Sequence, residues 1–215
     1  MASYPSTIAR AVEHELVIKK SRFIARAAPI GSVAEAEEVI AGIRKAHWDA
    51  RHNCTAMITG LRGDQARSND DGEPGGTAGM PMLEVLRQRR LTDVVVVVTR
   101  YFGGIKLGAG GLVRAYSSAV SECLDTAALV ERRELTQALL SVDHADAGRM
   151  DNLLRDWISG HDGLIGDPAY GARATLSAWV PASLLPDLTE AAAAWSSGSV
   201  VPTTGDTRIV DVPAA

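Results

Sequence analysis

Apolar and polar positions alternate in two short runs through HELVIKKSRFIARAAPI, residues 14–30, and that period predicts two strands. In SVAEAEEVIAGIRKAH (32–47) the period lengthens, and Ala36, Val39, Ile40 and Ile43 share one helical face. Ser32 and Glu35 stand in the capping-box pattern, with a hydroxyl and a carboxylate placed to satisfy backbone donors at a helix start. HNCTAMITG (52–60) predicts a strand ending at Gly60, LRGDQ a turn, and SNDDGEPGGTAGMP (68–81), with four glycines and two prolines, a loop. PMLEVLRQRR (81–90) predicts a short helix with Pro81 in its first turn. Leu91 to Thr99 is a predicted strand, and its unbroken valines imply burial on both faces. Helical spacing resumes with Leu112, Val113, Tyr116, Val120 and Leu124 and predicts a helix to about Leu129.

The remainder has its own rhythm. ELTQALLSV (134–142) predicts a strand and ADAGRMDNLLRDWIS (145–159) a helix. HDGLIGDPAYG holds a short strand and a turn, ARATLSAWV (172–180) a strand, and PASLLPDLTEAAAAWSS (181–197) a helix with Pro181 near its start. A final strand is expected near Val200–Thr203. Trp157, Trp179 and Trp195 fall on apolar faces and read as core. The order β-α-β-β-α-β suggests a ferredoxin-like split βαβ sandwich. The charged stretch VERRELT reads as a linker with a boundary near Arg133, so an α+β chain of two domains, 1–133 and 134–215, is expected.

Composition adds limits. The 215 residues suffice for one large or two modest cores, and 46% apolar with 22% charged residues is ordinary for a soluble globular protein. No apolar run approaches the ~20 residues that span a bilayer, so no membrane partner is expected, and MASYPSTIARAVEHE does not read as a signal peptide. Two cysteines, Cys54 and Cys123, are too few for a disulfide framework and suit a reducing compartment, which makes the cytoplasm the expected location. The net charge of −4 is unevenly spread. Residues 1–133 carry 18 Lys and Arg against 15 Asp and Glu, a balance of +3, whereas 134–215 carry 4 against 11, a balance of −7. Neither half has the strongly basic footprint of a stand-alone nucleic-acid binder, so any such contact must be local.

Candidate chemistry concentrates in RYFGGIKLGAGGLVRAY, Arg100–Tyr116, where five glycines follow the valine run. Lys106 precedes Leu107 rather than a hydroxyl residue, so this is not a P-loop. Gly108 and Gly110 begin a dinucleotide fingerprint that meets Val113 where its third glycine belongs. GAGG (108–111) matches the G-x-x-G of a KH clamp but lies in a different topology. Anion binding remains open on physical grounds, because glycines let N–H groups converge and a helix start adds about half a positive charge. Lys106 and Arg114 would supply whole charges. The alternative is a tight strand-to-helix connection whose glycines serve close packing.

The acidic loop offers Asp70, Asp71 and Glu73, but lacks the EF-hand pattern; carboxylates in such loops more often cap turns and the next helix, and no metal is assigned. His52 and Cys54 share a face of a predicted strand, an arrangement that reads better as a small core cysteine than as a nucleophile pair. Neither G-x-S-x-G nor H-E-x-x-H occurs, and no cofactor or catalytic residue is assigned.

Taken together, KKSRFIA (19–25), HNC (52–54), DDGEPGGTAG (70–79) and VVVVVTRYFGGIKLGAGGLVRAY (94–116) resemble the YigZ/IMPACT family over about residues 15–128, and the tail resembles the small C-terminal domain of its bacterial two-domain type. Gly75 stands where the family usually has Ser, and Met80 where Lys is common. The resemblance implies a ribosomal protein S5 domain 2-like N-terminal domain and a ferredoxin-like C-terminal domain like the last domain of the translocating elongation factor. It also implies a part in translational control, as in eukaryotic members. The expected function is a non-catalytic contact with RNA or the ribosome through Arg100, Tyr101, Phe102, Gly103, Gly104, Lys106, Gly108, Gly110, Gly111 and Arg114. Asp70, Asp71, Gly72, Glu73, Gly76, Thr77 and Gly79 would support that loop. Tyr101 and Phe102 either stack on a base or close the core at the strand end. Two alternatives stand beside it: an enzyme or binding protein for a phosphorylated small ligand, and an interaction module for a regulatory protein, with the −7 half meeting a basic partner.

Overall fold

Val94–Val98 lie at the centre of the first of two compact units, in a computed structural model that describes residues 4–213. One unit runs from residue 4 to Arg132 and the other covers Arg133–Asp211. In the first, β2 (Val12–Ile18), β3 (Ser21–Pro29), β4 (His52–Thr59), β5 (Gln65–Asn69) and β6 (Val94–Tyr101) form an antiparallel sheet in the order β2-β3-β6-β4-β5. β6 is central, which explains its apolar run: alternate valines point to opposite faces. Val94, Val96 and Val98 join Phe23, Cys54 and Tyr116 in the larger core beneath α2 (Gly79–Gln88) and α3 (Ala109–Asp125). Val95 joins Met57 and Ala28 beneath α1 (Val33–Ala46). Helices thus cover both faces of an all-antiparallel sheet.

Ser32 caps α1, its Oγ accepting from Glu35 N–H at 3.2 Å, while the Glu35 carboxylate reaches back to Gly31 N–H rather than to the cap residue itself. Several expectations need correcting; among them, the helix expected to reach about Leu129 ends at Asp125. LRGDQ and the start of the acidic loop are partly strand: β5 is wholly exposed and carries no burial alternation to reveal it. The helix after the glycines begins at Ala109, three residues before its first buried position, because Ala109 and Gly110 are exposed and Gly111 is only half-buried.

The stretch read as a linker is strand. β7 (Leu129–Val142) runs unbroken through 130–136; its first residues pair with β1 (Thr7–Ile8), too short for any sequence period. In the second unit the sheet order is β11-β7-β10-β8, with β8 at Leu164–Ile165, β10 at Ala174–Val180 and β11 at Thr203–Pro213; β9 (Ala169–Tyr170) pairs the far end of β10. β11 therefore starts where the expected last strand ended. Leu140, Leu176 and Val180 pack beneath Met150 and Leu154 of α4 (Ala147–Ser159) and Leu188 of α5 (Leu185–Trp195). Trp157 and Trp195 rim this core, but Trp179 does not belong to it. One residue out of phase with Ala178 and Val180, it is buried on the other sheet face beneath the Arg208 guanidinium, 3.7 Å from its ring centre. No helix among the described residues is long and apolar enough to cross a membrane.

Candidate functional site

Strand register assembles the site. Arg22 pairs with Tyr101 and His52 with Arg100, so the start of β3, the start of β4 and the end of β6 lie at one end of the sheet. There the acidic loop, the glycine loop and the amino end of α3 meet around a cleft of about 450 Å³. Its cationic lining is Arg51, Lys106 and Arg100, and its apolar lining includes Pro74, Phe102, Leu107 and Leu112.

The HNC motif holds the acidic loop. His52 Nδ1 donates to the Asp71 carbonyl (2.9 Å), Asn53 N–H donates to the Asp71 carboxylate (2.7 Å), and Cys54 Sγ donates to the Asp70 carbonyl (3.0 Å). Gly72 lies against the His52 ring, where an added Cβ would come within 3.5 Å of Nδ1. Asp71 also pairs with Arg44 at 3.0 Å. Asp70 turns inward on its own loop. Its two carboxylate oxygens accept from Gly76 N–H (2.7 Å), Ala78 N–H (3.0 Å) and Gly79 N–H (2.7 Å). Those donors include the start of α2, which has no cap from its own neighbours, so Asp70 caps it from eight residues upstream of Ala78. Partial burial raises the Asp70 carboxyl, but the backbone bonds from Gly76, Gly79 and Ala78 outweigh it and hold the group below its usual range. Thr77 closes the turn by donating to the Pro74 carbonyl at 2.6 Å.

Glu73 joins the two loops. Its Oε1 accepts from Arg100 Nη1 and from the Tyr116 hydroxyl (2.8 Å), with both charged side chains buried. Arg100 lies between the Phe23 and Phe102 rings, 5.3 and 5.6 Å from their centres, and its buried Nε has no hydrogen-bond partner among the described residues. Arg100, expected to contact RNA, thus has one guanidinium nitrogen already engaged by Glu73. Burial pushes the Cys54 thiol up to about 12, against a weaker opposing effect of its hydrogen bond with Tyr116; burial likewise raises the Tyr116 hydroxyl. Cys54 is a core thiol, not a poised nucleophile. No cluster of three or more metal-ligating side chains occurs among the described residues.

The candidate residues of the glycine loop separate. Phe102 is 45% exposed and lines the cleft, as does Lys106. Tyr101, one residue earlier, points to the other face, where its hydroxyl bonds His47 (3.0 Å) and Asp49 (2.9 Å). Gly103 is a packing glycine: a Cβ there would stand 2.0 Å from the Lys20 carbonyl carbon. Gly104 follows it in the turn, and Gly108, with φ of 73°, sets the entry to α3 and lines the cleft. Gly110 and Gly111 are helical. Arg114 lies outside the cleft lining, its Nη1 3.8 Å from where a Cβ on Gly110 would be. The α3 cap residue is Gly108, and among the described residues no side chain caps the helix start. Sequence reasoning had not singled out Arg51; its place next to the HNC motif was the available signal.

Residues 19–124, which include these site residues, match the Impact N-terminal domain. The IMPACT family member YvyE of Bacillus subtilis is 52% identical over 150 residues, covering 70% of this chain and 69% of its own. The family member YigZ of Escherichia coli is 37% identical over 185 residues, covering 85% and 89%. The crystal structure of a hypothetical protein, 34% identical, superposes with a TM-score of 0.59 over 96% of this chain and 99% of its own. The chain belongs to the IMPACT family.

Proposed function

We propose that this is a non-catalytic, cytoplasmic protein of translation or its regulation, which contacts RNA or the ribosome through the cleft at the amino end of α3. The observation that carries the reading is the contrast between two helix starts. Asp70 supplies a carboxylate to the first N–H groups of α2, whereas α3 opens with no side-chain cap beside a cleft lined by Lys106 and Arg51. An external anion there takes the place that Asp70 takes at α2, and a phosphate suits it by charge and by its several acceptor oxygens. The family resemblance supports the connection with translation. It also favours a ribosomal protein S5 domain 2-like reading of 1–133 and a ferredoxin-like reading of 134–215, and the order β11-β7-β10-β8 supports the latter.

The test is binding to RNA and ribosomes across a salt series, with wild type against Arg51→Glu/Lys106→Glu. The expected result is an affinity that falls linearly with log salt and is lost in the double variant. Binding that ignores both salt and charge reversal contradicts the reading. A second reading, a phosphorylated small ligand, is favoured by the cleft volume, which lies within the ~300–1,000 Å³ typical of small-molecule sites. It predicts thermal stabilisation by the free ligand without RNA.

A further inference from the structure

We propose that the cleft takes single-stranded rather than duplex RNA, with one base stacked on Phe102 and the next stretch of backbone lying along the Lys19–Lys20 turn. The inference rests on the phosphate reading above and names the form of nucleic acid. Its first support is Phe102 itself. The ring is 45% exposed in the lining of a cationic cleft, and the Arg100 guanidinium lies 5.6 Å from its centre. Arg100 also lines the cleft, is 6% exposed, and has an Nε without a hydrogen-bond partner among the described residues.

The second support is the hairpin turn. Ile18 pairs with Ser21, leaving Lys19 and Lys20 as a two-residue loop with φ of 46° and 66°. Both values lie in the left-handed region, which Gly or Asn enters far more readily than Lys. Two exposed lysines thus occupy a turn for which local propensity favours other residues, and this pattern belongs to places where side-chain chemistry outweighs backbone preference. Gly103 fixes their position: its backbone sits directly against the Lys20 carbonyl, one residue beyond Phe102. Charge and aromatic face therefore adjoin in the order phosphate site, ring, charge. Lys19, Lys20, Arg51 and Lys106 make no ion pair among the described residues, unlike Arg22, Arg44 and Arg100.

A ring inside a cleft can stack only on a base whose own face is free. Duplex bases are covered by their neighbours, whereas single-stranded bases splay and stack on aromatic side chains without regard to sequence.

The experiment compares a fluorescent oligouridylate of about eight nucleotides with an RNA duplex of equal length, using the full chain. Variants are Phe102→Leu, Phe102→Trp, Lys19→Gln/Lys20→Gln and Lys106→Glu, each checked for an unchanged melting curve. The expected result is a clear preference for the single strand and a loss on the order of ten-fold in Phe102→Leu at unchanged salt slope. Phe102→Trp restores affinity, and the lysine pair lowers the slope by about 1.4. Equal binding of duplex, or full affinity in Phe102→Leu, overturns the inference; if Lys106→Glu still abolishes binding, the phosphate reading survives it. Uridine monophosphate binding as tightly as the oligomer also overturns it, in favour of a small ligand. Absence of any RNA binding overturns both.

Discussion

The acidic loop and the glycine loop are alike in composition and opposite in state. Each is glycine-rich, and each delivers the chain into a helix. In the acidic loop the converging N–H groups are consumed from within, because Asp70 accepts from Gly76, Ala78 and Gly79. In the glycine loop the helix start has no side-chain cap, and Lys106 and Arg51 stand in the lining of the cleft beside it. Glycine content alone therefore says little about anion binding. What decides is whether an internal carboxylate already occupies the donors. The two regions are also joined: Glu73 from one loop and Arg100 from the strand feeding the other form a buried pair.

That pair gives the largest expected effect. Glu73→Gln leaves the Arg100 charge buried without its carboxylate and should cost about 3–5 kcal/mol in urea unfolding. Adding Arg100→Met should recover part of the loss, because a buried pair replaced by apolar groups is often close to neutral. No recovery would mean that the two loops are held together by something other than this pair.

Next comes the internal cap. Asp70→Asn should destabilise by about 2 kcal/mol, as loss of a charged acceptor shared by three backbone donors. Its pH dependence has a definite sign. The folded-state value lies below the ordinary 3.8, so the contribution is complete above 3.8 and disappears as pH falls through the lower folded value. The difference between wild type and Asp70→Asn should therefore be widest near about pH 7 and close in acid. A constant difference would remove the carboxylate from the explanation.

The smallest effect separates glycines that are needed from those that are not. Gly75 has no neighbour within 4 Å of a Cβ and no positive φ, so Gly75→Ser should change stability by less than about 0.5 kcal/mol. A large loss would show that the acidic loop has no spare glycine.

The chain disclosed some of this and withheld the rest for physical reasons. The valine run announced a strand buried on both faces because burial acts on every residue of a central strand. Exposed β5 gave no such signal, since an edge strand held by backbone bonds alone leaves its side chains free to vary. Lys106 and Phe102 were singled out by their place in the glycine stretch, but for Tyr101 and Phe102 alike the sequence left stacking and core closure open until the pleat set them on opposite faces. Arg114 was expected to supply a whole charge beside the glycines; α3 starts at Ala109, and Arg114 falls outside the cleft lining. The Glu73–Arg100 pairing spans 27 residues and required the fold.

The most direct measurement is a titration of the isotope-labelled protein with inorganic phosphate, followed through its backbone amide NMR signals. The amides of Ala109, Gly110 and Gly111 should shift saturably, while those of Gly76, Ala78 and Gly79, already occupied by Asp70, should stay in place. Shifts of equal size at both helix starts, or none at α3, would contradict the claim that one loop is closed and the other open to an anion.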